Sequence, residues 1–221
     1  MTDLLSPDVP SPIDLRTLAD ARPWAETALA KRPARPLFFA AFASAIGNFL
    51  PPDARVLELG SGPGFLAQHL LAALPRIEYV ALDFSDAMHE LARERLGPEA
   101  DRVTFVCRSF RDPAWTASLG AFDVVVTHQA IHELRHKRHA VALHRQVRTV
   151  LGPDGIYLAC DHFLGDGGMT NAELYMTVAE QNAALAGAGF SSVRPLLIEG
   201  GLALHAAGAS ARGGSATRKV S

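Results

Sequence analysis

Apolar and polar positions along this chain switch between two periods, and the switches mark its elements. Short apolar runs of strand length occur at 55–59 (RVLEL), 77–83 (IEYVALD), 103–107 (VTFVC), 122–127 (FDVVVT) and 155–161 (GIYLACD). Between them lie stretches of helical period at 62–74, 85–96 and 138–150. Ser85 opens the second as an N-cap, and the turn GPDG follows the third. Strand and helix in alternation predict parallel strands joined by crossover helices, in a sheet covered on both faces. Upstream, 23–30 and 37–50 read as two helices split by KRPARP, because Pro33 and Pro36 interrupt a continuous helix. Downstream, 171–189 reads as a helix, and 190–208 as two strands meeting at Gly200 and Gly201 in an antiparallel hairpin. The expected fold is α/β, a doubly wound and mostly parallel sheet with that hairpin at its end. One domain is expected over 1–207: a helical cover (1–50) on the α/β core (51–207), then a disordered tail (208–221) with too little apolar content to fold.

Composition removes several function classes. With 221 residues, 48% of them hydrophobic and 20% charged, the chain suffices for one substantial core. A net charge of −2 lacks the basic excess that binds phosphate backbones, so no nucleic-acid partner is expected. The longest apolar run, 37–50, has 14 residues, too few to span a bilayer as a helix, so no membrane partner is expected either. Acids and prolines stand in MTDLLSPDVPSP where an export signal needs a positive start and an apolar run, which predicts a cytoplasmic protein. Cys107 and Cys160, far apart in sequence, suggest neither a disulfide framework nor a CxxC site and are expected to be buried thiols.

The richest stretch is VLELGSGPGF at 56–65, where a strand runs through three glycines into a helix. Backbone N–H groups at such a helix N-terminus can meet a polar ligand, and absent side chains permit close approach. The run Gly60-Ser61-Gly62-Pro63-Gly64 is not the GxGxxG spacing of dinucleotide binders, because it lacks the third glycine that packs the helix. A second stretch, HELRH at 132–136, fits the zinc-protease pattern of two histidines one helical turn apart with a glutamate between. Its continuation does not: His139 and Ala142 stand where a turn glycine and a third histidine belong, and the next glutamate is Glu173.

ELGSGPG at 58–64, followed by Leu82 and Asp83, resembles motifs I and II of the class I S-adenosylmethionine-dependent methyltransferases. FDVVVTHQAIHEL resembles their motif IV, and VRTVLGPDGIYLA the helix, turn and fifth strand that follow. The resemblance covers roughly 50–207 and implies a Rossmann-like fold, S-adenosyl-L-methionine as cofactor and methyl transfer as activity. It implies that Gly60, Ser61, Gly62 and Gly64 hold the cofactor's methionine part, with Glu58 ordering the loop. Asp83 would accept hydrogen bonds from both ribose hydroxyls, and Phe84 and Met88 would pack on the adenine. Ser109 and Phe110 follow the third strand; Ser109 departs from the family's usual Asp, leaving the adenine amino group to a backbone group or water.

Within motif IV, the residues from His128 to Glu133 are expected to border the methyl-transfer pocket, beyond the carboxyl ends of the strands, with His128 also near the cofactor. IHEL at 131–134 resembles the HDW-type stretch of small-molecule O-methyltransferases, where the histidine is a general base, and also the HHL or HWL stretch of members without one. Methyl transfer needs nucleophile and methyl held in line, and a hydroxyl acceptor must also lose a proton. His132 is the first candidate base, with His128 and His162 behind it. Motif IV lacks the runs used to methylate nucleobases, so a small-molecule substrate is expected. The FFAAF face of 37–50 either contacts a partly apolar substrate or packs on the sheet, and Arg32 or Arg35 could reach a carboxylate of cofactor or substrate. The competing readings are a non-catalytic cofactor-binding module, a zinc hydrolase using HELRH and, most distant, a nicotinamide dehydrogenase.

Overall fold

A computed structural model describes residues 7–209. The elements are α1 (Leu18–Ala28), α2 (Arg35–Phe49), β1 (Arg55–Leu59), α3 (Phe65–Ala73), β2 (Glu78–Asp83), α4 (Asp86–Leu96), β3 (Val103–Cys107), β4 (Phe122–His128), α5 (Ala140–Val150), β5 (Leu151–His162), α6 (Val178–Gly187), β6 (Ser191–Glu199) and β7 (Leu202–Gly208). They form one seven-stranded sheet of order β3-β2-β1-β4-β5-β7-β6. The first five strands are parallel, and β7 runs antiparallel to both its neighbours. The chain winds outward from β1 to β3 and returns to start β4 on the other side of β1. The crevice between the carboxyl ends of β1 and β4 is therefore the topological switch point, where such sheets bind ligands.

Strand alternation divides the core between two faces. Val56, Tyr79, Val124, Val126 and Leu158 meet α2 and α3 through Phe38, Phe42, Ile46, Leu66 and Leu70. Leu57, Leu82, Val125, Tyr157 and Ala159 meet α5 and α6 through Leu143, Val147, Ala184 and Leu185. The FFAAF segment thus packs on the sheet: Phe38, Phe39 and Phe42 all lie in that core, and none lines the cleft described below. Truncating Phe42, fully buried, to Ala would cost about 3–5 kcal/mol. α1 crosses α4, burying Ala21 and Ala25 against Ala87, Met88 and Leu91.

The boundaries hold closely for β1 to β4, and Ser85 does cap α4, its Oγ accepting from the Met88 amide at 3.1 Å. The hairpin turns at Gly200 and Gly201, whose φ of 54° and 78° are the left-handed pair that a two-residue turn demands. Four expectations change. The first helix, expected over 23–30, runs instead from Leu18 to Ala28 with Pro23 inside it, because Thr17 caps it by accepting from the Asp20 amide. The helix expected from 171 begins only at Val178, because Thr177 caps it in a reciprocal box with Glu180 while Asn171 Oδ1 accepts from the Glu173 and Leu174 amides in a local turn. The GPDG turn is absorbed into β5 as a bulge, the register stepping from Phe122–Leu151 to Val124–Ile156. Cys160 is buried, but Cys107 is exposed. The expected tail lies outside the described residues from 210 onward. No described helix is long and apolar enough to cross a membrane.

Candidate active site

The switch-point crevice opens into a cleft of about 310 Å³. One end is built from the backbone after β1. Gly60, Gly62 and Gly64 take φ of 68°, 52° and 78°, which L side chains rarely adopt. A Cβ on Gly60 would lie 2.4 Å from that of Ala130, so the loop after β1 and the chain after β4 touch here with no room for a side chain. Gly62 has open space at the same position and lines the cleft. Gly64 does what the sequence reading found missing: its absent side chain lets α3 pack on α4, where a Cβ would stand 3.1 Å from that of Ala92. The Gly60 and Ser61 amides donate to the Leu82 carbonyl at 2.8 and 3.1 Å, and the Gly62 amide to Asp83 Oδ2 at 2.8 Å. These amides stitch the loop to the end of β2. The Ser61 hydroxyl is buried without a hydrogen-bond partner among the described residues.

Asp83 closes this end. It is 5% exposed, and its second oxygen accepts from the Ser85 amide at 3.0 Å. Burial raises its pKa to about 6, against the pull of the amides of Gly62, Ser85 and Phe84. Phe84, Met88 and Phe110 continue the wall, and Ile13 and Leu15 cover it from the N-terminal segment. Ser109 lies instead in an adjoining pocket of about 270 Å³, its Oγ accepting from the Arg111 amide at 3.2 Å. Glu58 is away from the cleft. Its carboxylate accepts from the Tyr79 hydroxyl at 2.7 Å, and no loop amide bonds to it; burial first, with Asp83 adding, raises its pKa to about 8.

The other end is built from side chains. IHEL is a single 3₁₀ turn, and Arg135 after it is left-handed at φ 67°. The two histidines of HELRH therefore do not share a helical face. His132 Nδ1 meets Asp161 Oδ1 at 2.8 Å, whereas His136 Nδ1 accepts from the Arg138 amide. Asp161 Oδ2 also takes the His132 amide at 2.7 Å, and Glu133 Oε1 lies 3.4 Å from His132 Nε2. Burial opposes charge on His132, but Asp161 and then Glu133 outweigh it and push its pKa up to about 10. Its ring stands 5.6 Å from that of His162 and 5.7 Å from that of Tyr175.

His162 is tied differently. Its Nε2 is 2.8 Å from Gln129 Nε2, and Gln129 Oε1 accepts from Arg35 Nε. Because Arg35 donates to the amide oxygen, the amide nitrogen must donate to His162. That matches an imidazole kept neutral, its pKa lowered to about 4 chiefly by burial, against the pull of Asp161. Gln129 itself holds a left-handed φ of 57°, which directs its side chain between the two. His128 departs from expectation. One residue earlier on β4 it faces α2, its ring 5.1 Å from that of Phe39 and 6.0 Å from that of Phe42, and it does not line the cleft. Burial and Arg35 lower its pKa to about 3.

Of the candidate residues, Gly60, Gly62, Asp83, Phe84, Met88, Phe110, His132 and His162 line one cleft; Glu58, Ser61, Gly64, Ser109 and His128 do not. Gln129 and Glu133 fall within the stretch expected to border the pocket and do line it, whereas Asp161, Tyr175 and Trp24 were not singled out from sequence. Asp161 carried a usable signal, since it ends an apolar strand as Asp83 does. The others come from segments whose periodicity says nothing of the cleft.

Residues 57–157 match a family model described as a methyltransferase domain. A malonyl-acyl-carrier-protein O-methyltransferase of Geobacter sulfurreducens is 31% identical over 157 residues, covering 63% of this chain and 57% of the relative. One of the same name from Laribacter hongkongensis is 27% identical over 154 residues, covering 63% and 51%. The chain thus spans little more than half the length of these curated relatives. Among solved structures, the CMeT domain of the citrinin polyketide synthase aligns with a TM-score of 0.70 at 18% identity, covering 86% of this chain and 56% of that one.

Proposed function

We propose that this chain, whose residues 57–157 match a methyltransferase domain, belongs with the class I S-adenosylmethionine-dependent methyltransferases and methylates an oxygen of a small acid. The residues of the cleft fit the cofactor. Asp83 is a buried acceptor for ribose hydroxyls, Phe84, Met88 and Phe110 offer apolar surface to a purine, and Gly60 and Gly62 leave room for the methionine end. When bound, S-adenosylmethionine would supply a sulfonium methyl that a lone pair of the acceptor oxygen attacks in line, the O–C bond forming as the C–S bond breaks and leaves its electrons on sulfur.

The observation that carries the acid reading is the charge of the opposite end. Lys31, Arg32, Arg35, Arg135 and His132 line it against two carboxylates, Glu133 in the cleft and Asp161 behind His132. A carboxylate acceptor is already ionised at neutral pH and needs no base. His132, kept charged by Asp161 and Glu133, then acts as a donor that orients the acceptor oxygen, and the fixed geometry of its Asp161 contact supplies the alignment. The name of the relatives, malonyl-acyl-carrier-protein O-methyltransferase, supports an acid of this kind, free or carried on a protein.

A second reading, a hydroxyl acceptor with His132 as base, is favoured by the same Asp161 contact, which leaves Nε2 turned toward Glu133 at the cleft. The rate of methyl transfer against pH, measured with malonate monothioesters and with phenols, separates the two. A charged donor gives a rate that is level through neutrality and falls as pH rises through about 10; a base gives a rate that climbs toward about 10. Turnover of phenols alone, with a climbing limb, would overturn the acid reading.

A further inference from the structure

Arg35 is the first residue of α2 and only 7% exposed, yet it lines the cleft. Among the described residues its guanidinium makes one hydrogen bond, from Nε to the neutral amide of Gln129, and no carboxylate lies within salt-bridge distance. Buried charges are ordinarily paired, because leaving water is costly and a low-dielectric surrounding returns that cost only through a partner. Here the remaining four N–H donors have none among the described residues. Neighbouring charge adds to the imbalance: Arg32, which repels Arg35, and Lys31 line the same cleft, and the first turn of α2 holds no acidic residue and no side-chain cap, so its positive pole is also uncompensated.

The surroundings hold the guanidinium rather than neutralise it. Its carbon lies 5.8 Å from the Trp24 ring centroid and 6.0 Å from that of Phe65, the residue that follows the glycine loop. Gln129 grips Nε and is itself fixed by His162. That leaves the flat fork of the two terminal nitrogens, the geometry that matches a carboxylate bidentately.

We propose that Arg35, positioned by Gln129 and His162, is the anchor for a ligand carboxylate in this cleft. The inference rests on the methyltransferase reading and names a recognition group within it. Two sources share the chemistry: the methionine end of the cofactor, which belongs near Phe65 and the glycine loop, and the acid acceptor, which belongs near His132 and His162.

The test is calorimetric titration of the full chain and its Arg35→Gln and Arg35→Lys variants, with melting curves to check that each folds. The probes are S-adenosylhomocysteine, 5′-methylthioadenosine, which lacks the amino-acid end, and malonate added to protein saturated with S-adenosylhomocysteine. A loss of tenfold or more for S-adenosylhomocysteine in Arg35→Gln, with methylthioadenosine unchanged and Arg35→Lys in between, supports the cofactor's carboxylate as ligand. Unchanged S-adenosylhomocysteine affinity with malonate binding lost supports the acceptor's. Equal losses for both nucleosides would mean that Arg35 only shapes the cleft, and no change with any probe would mean that it anchors nothing; either overturns the proposal while leaving the cofactor reading intact. Failure of the wild-type protein to bind S-adenosylhomocysteine would overturn both.

Discussion

The two ends of the cleft are made by different means. At the glycine end, the chain is shaped by its own backbone: three left-handed glycines, loop amides stitched to Leu82 and Asp83, and one carboxylate at a strand end. At the histidine end, the chain contributes side chains from α1, α2, the turn after β4, the end of β5 and the segment before α6, and they hold one another through charge and hydrogen bonds. The first kind of site tolerates almost no change of residue at its loop but depends little on distant segments. The second depends on each segment arriving where the tertiary fold puts it, so its groups are separately replaceable and its charge balance is adjustable.

That contrast can be broken most forcefully at Gly60. Gly60→Ala combines left-handed strain with a clash against Ala130 and is expected to cost about 2–5 kcal/mol of stability in urea unfolding. Gly62→Ala carries the strain without the clash, so it should cost about 1–2 kcal/mol of stability while weakening S-adenosylhomocysteine binding. Equal destabilisation by the two would show that the loop is not held against Ala130. Next comes Asp83→Ala, which should weaken S-adenosylhomocysteine by about 10- to 100-fold, the range for losing a charge-assisted hydrogen bond of about 1.5–3 kcal/mol. Its pH signature is separate. The folded pKa of Asp83, about 6, is raised, so its ionised form costs stability that is recovered as pH falls through 6. Ribose hydroxyls favour that ionised form, so affinity should decline below pH about 6 in the wild type and stay level in Asp83→Asn.

The histidine end should respond in charge rather than in fold. In Asp161→Asn the His132 ring, followed by NMR, should titrate lower than about 10 by about a unit or more, since its chief anionic neighbour is gone. The raised pKa also means that the pair adds stability fully present below about 6.5, the unfolded value, and lost as pH rises through about 10. An unmoved ring titration would show that Glu133 alone sets the charge. The smallest effect belongs to Ser85→Ala, which removes the cap of α4 and a 2.5 Å hydrogen bond to the Leu15 carbonyl. It should lower the thermal midpoint by the equivalent of about 1 kcal/mol.

How far each end could be read beforehand follows from the same contrast. The glycine loop, Asp83 and the strands around them were visible because they lie within about thirty consecutive residues, where strand periodicity and positive-φ glycines leave local marks. His132 and His162 were visible as residue types, but not that the first is charged and the second neutral. Those states depend on Asp161 sitting 2.8 Å from the first ring and on the burial of the second. His128 was assigned to the cleft by its nearness in sequence to His132; strand alternation, which β4 carries to its last residue, turned it toward α2 instead.

The sequence alone determined the order of the strands' periodicity, the capped and glycine-bounded turns, and one strand-end carboxylate, because each is a property of neighbouring residues. Only the tertiary structure decided that Arg35 is buried without a counter-ion among the described residues, that Gln129 joins it to His162, and that Asp161 holds His132. A charge acquires its chemistry from the dielectric and the partners around it, and in this chain those partners lie as many as 131 positions away.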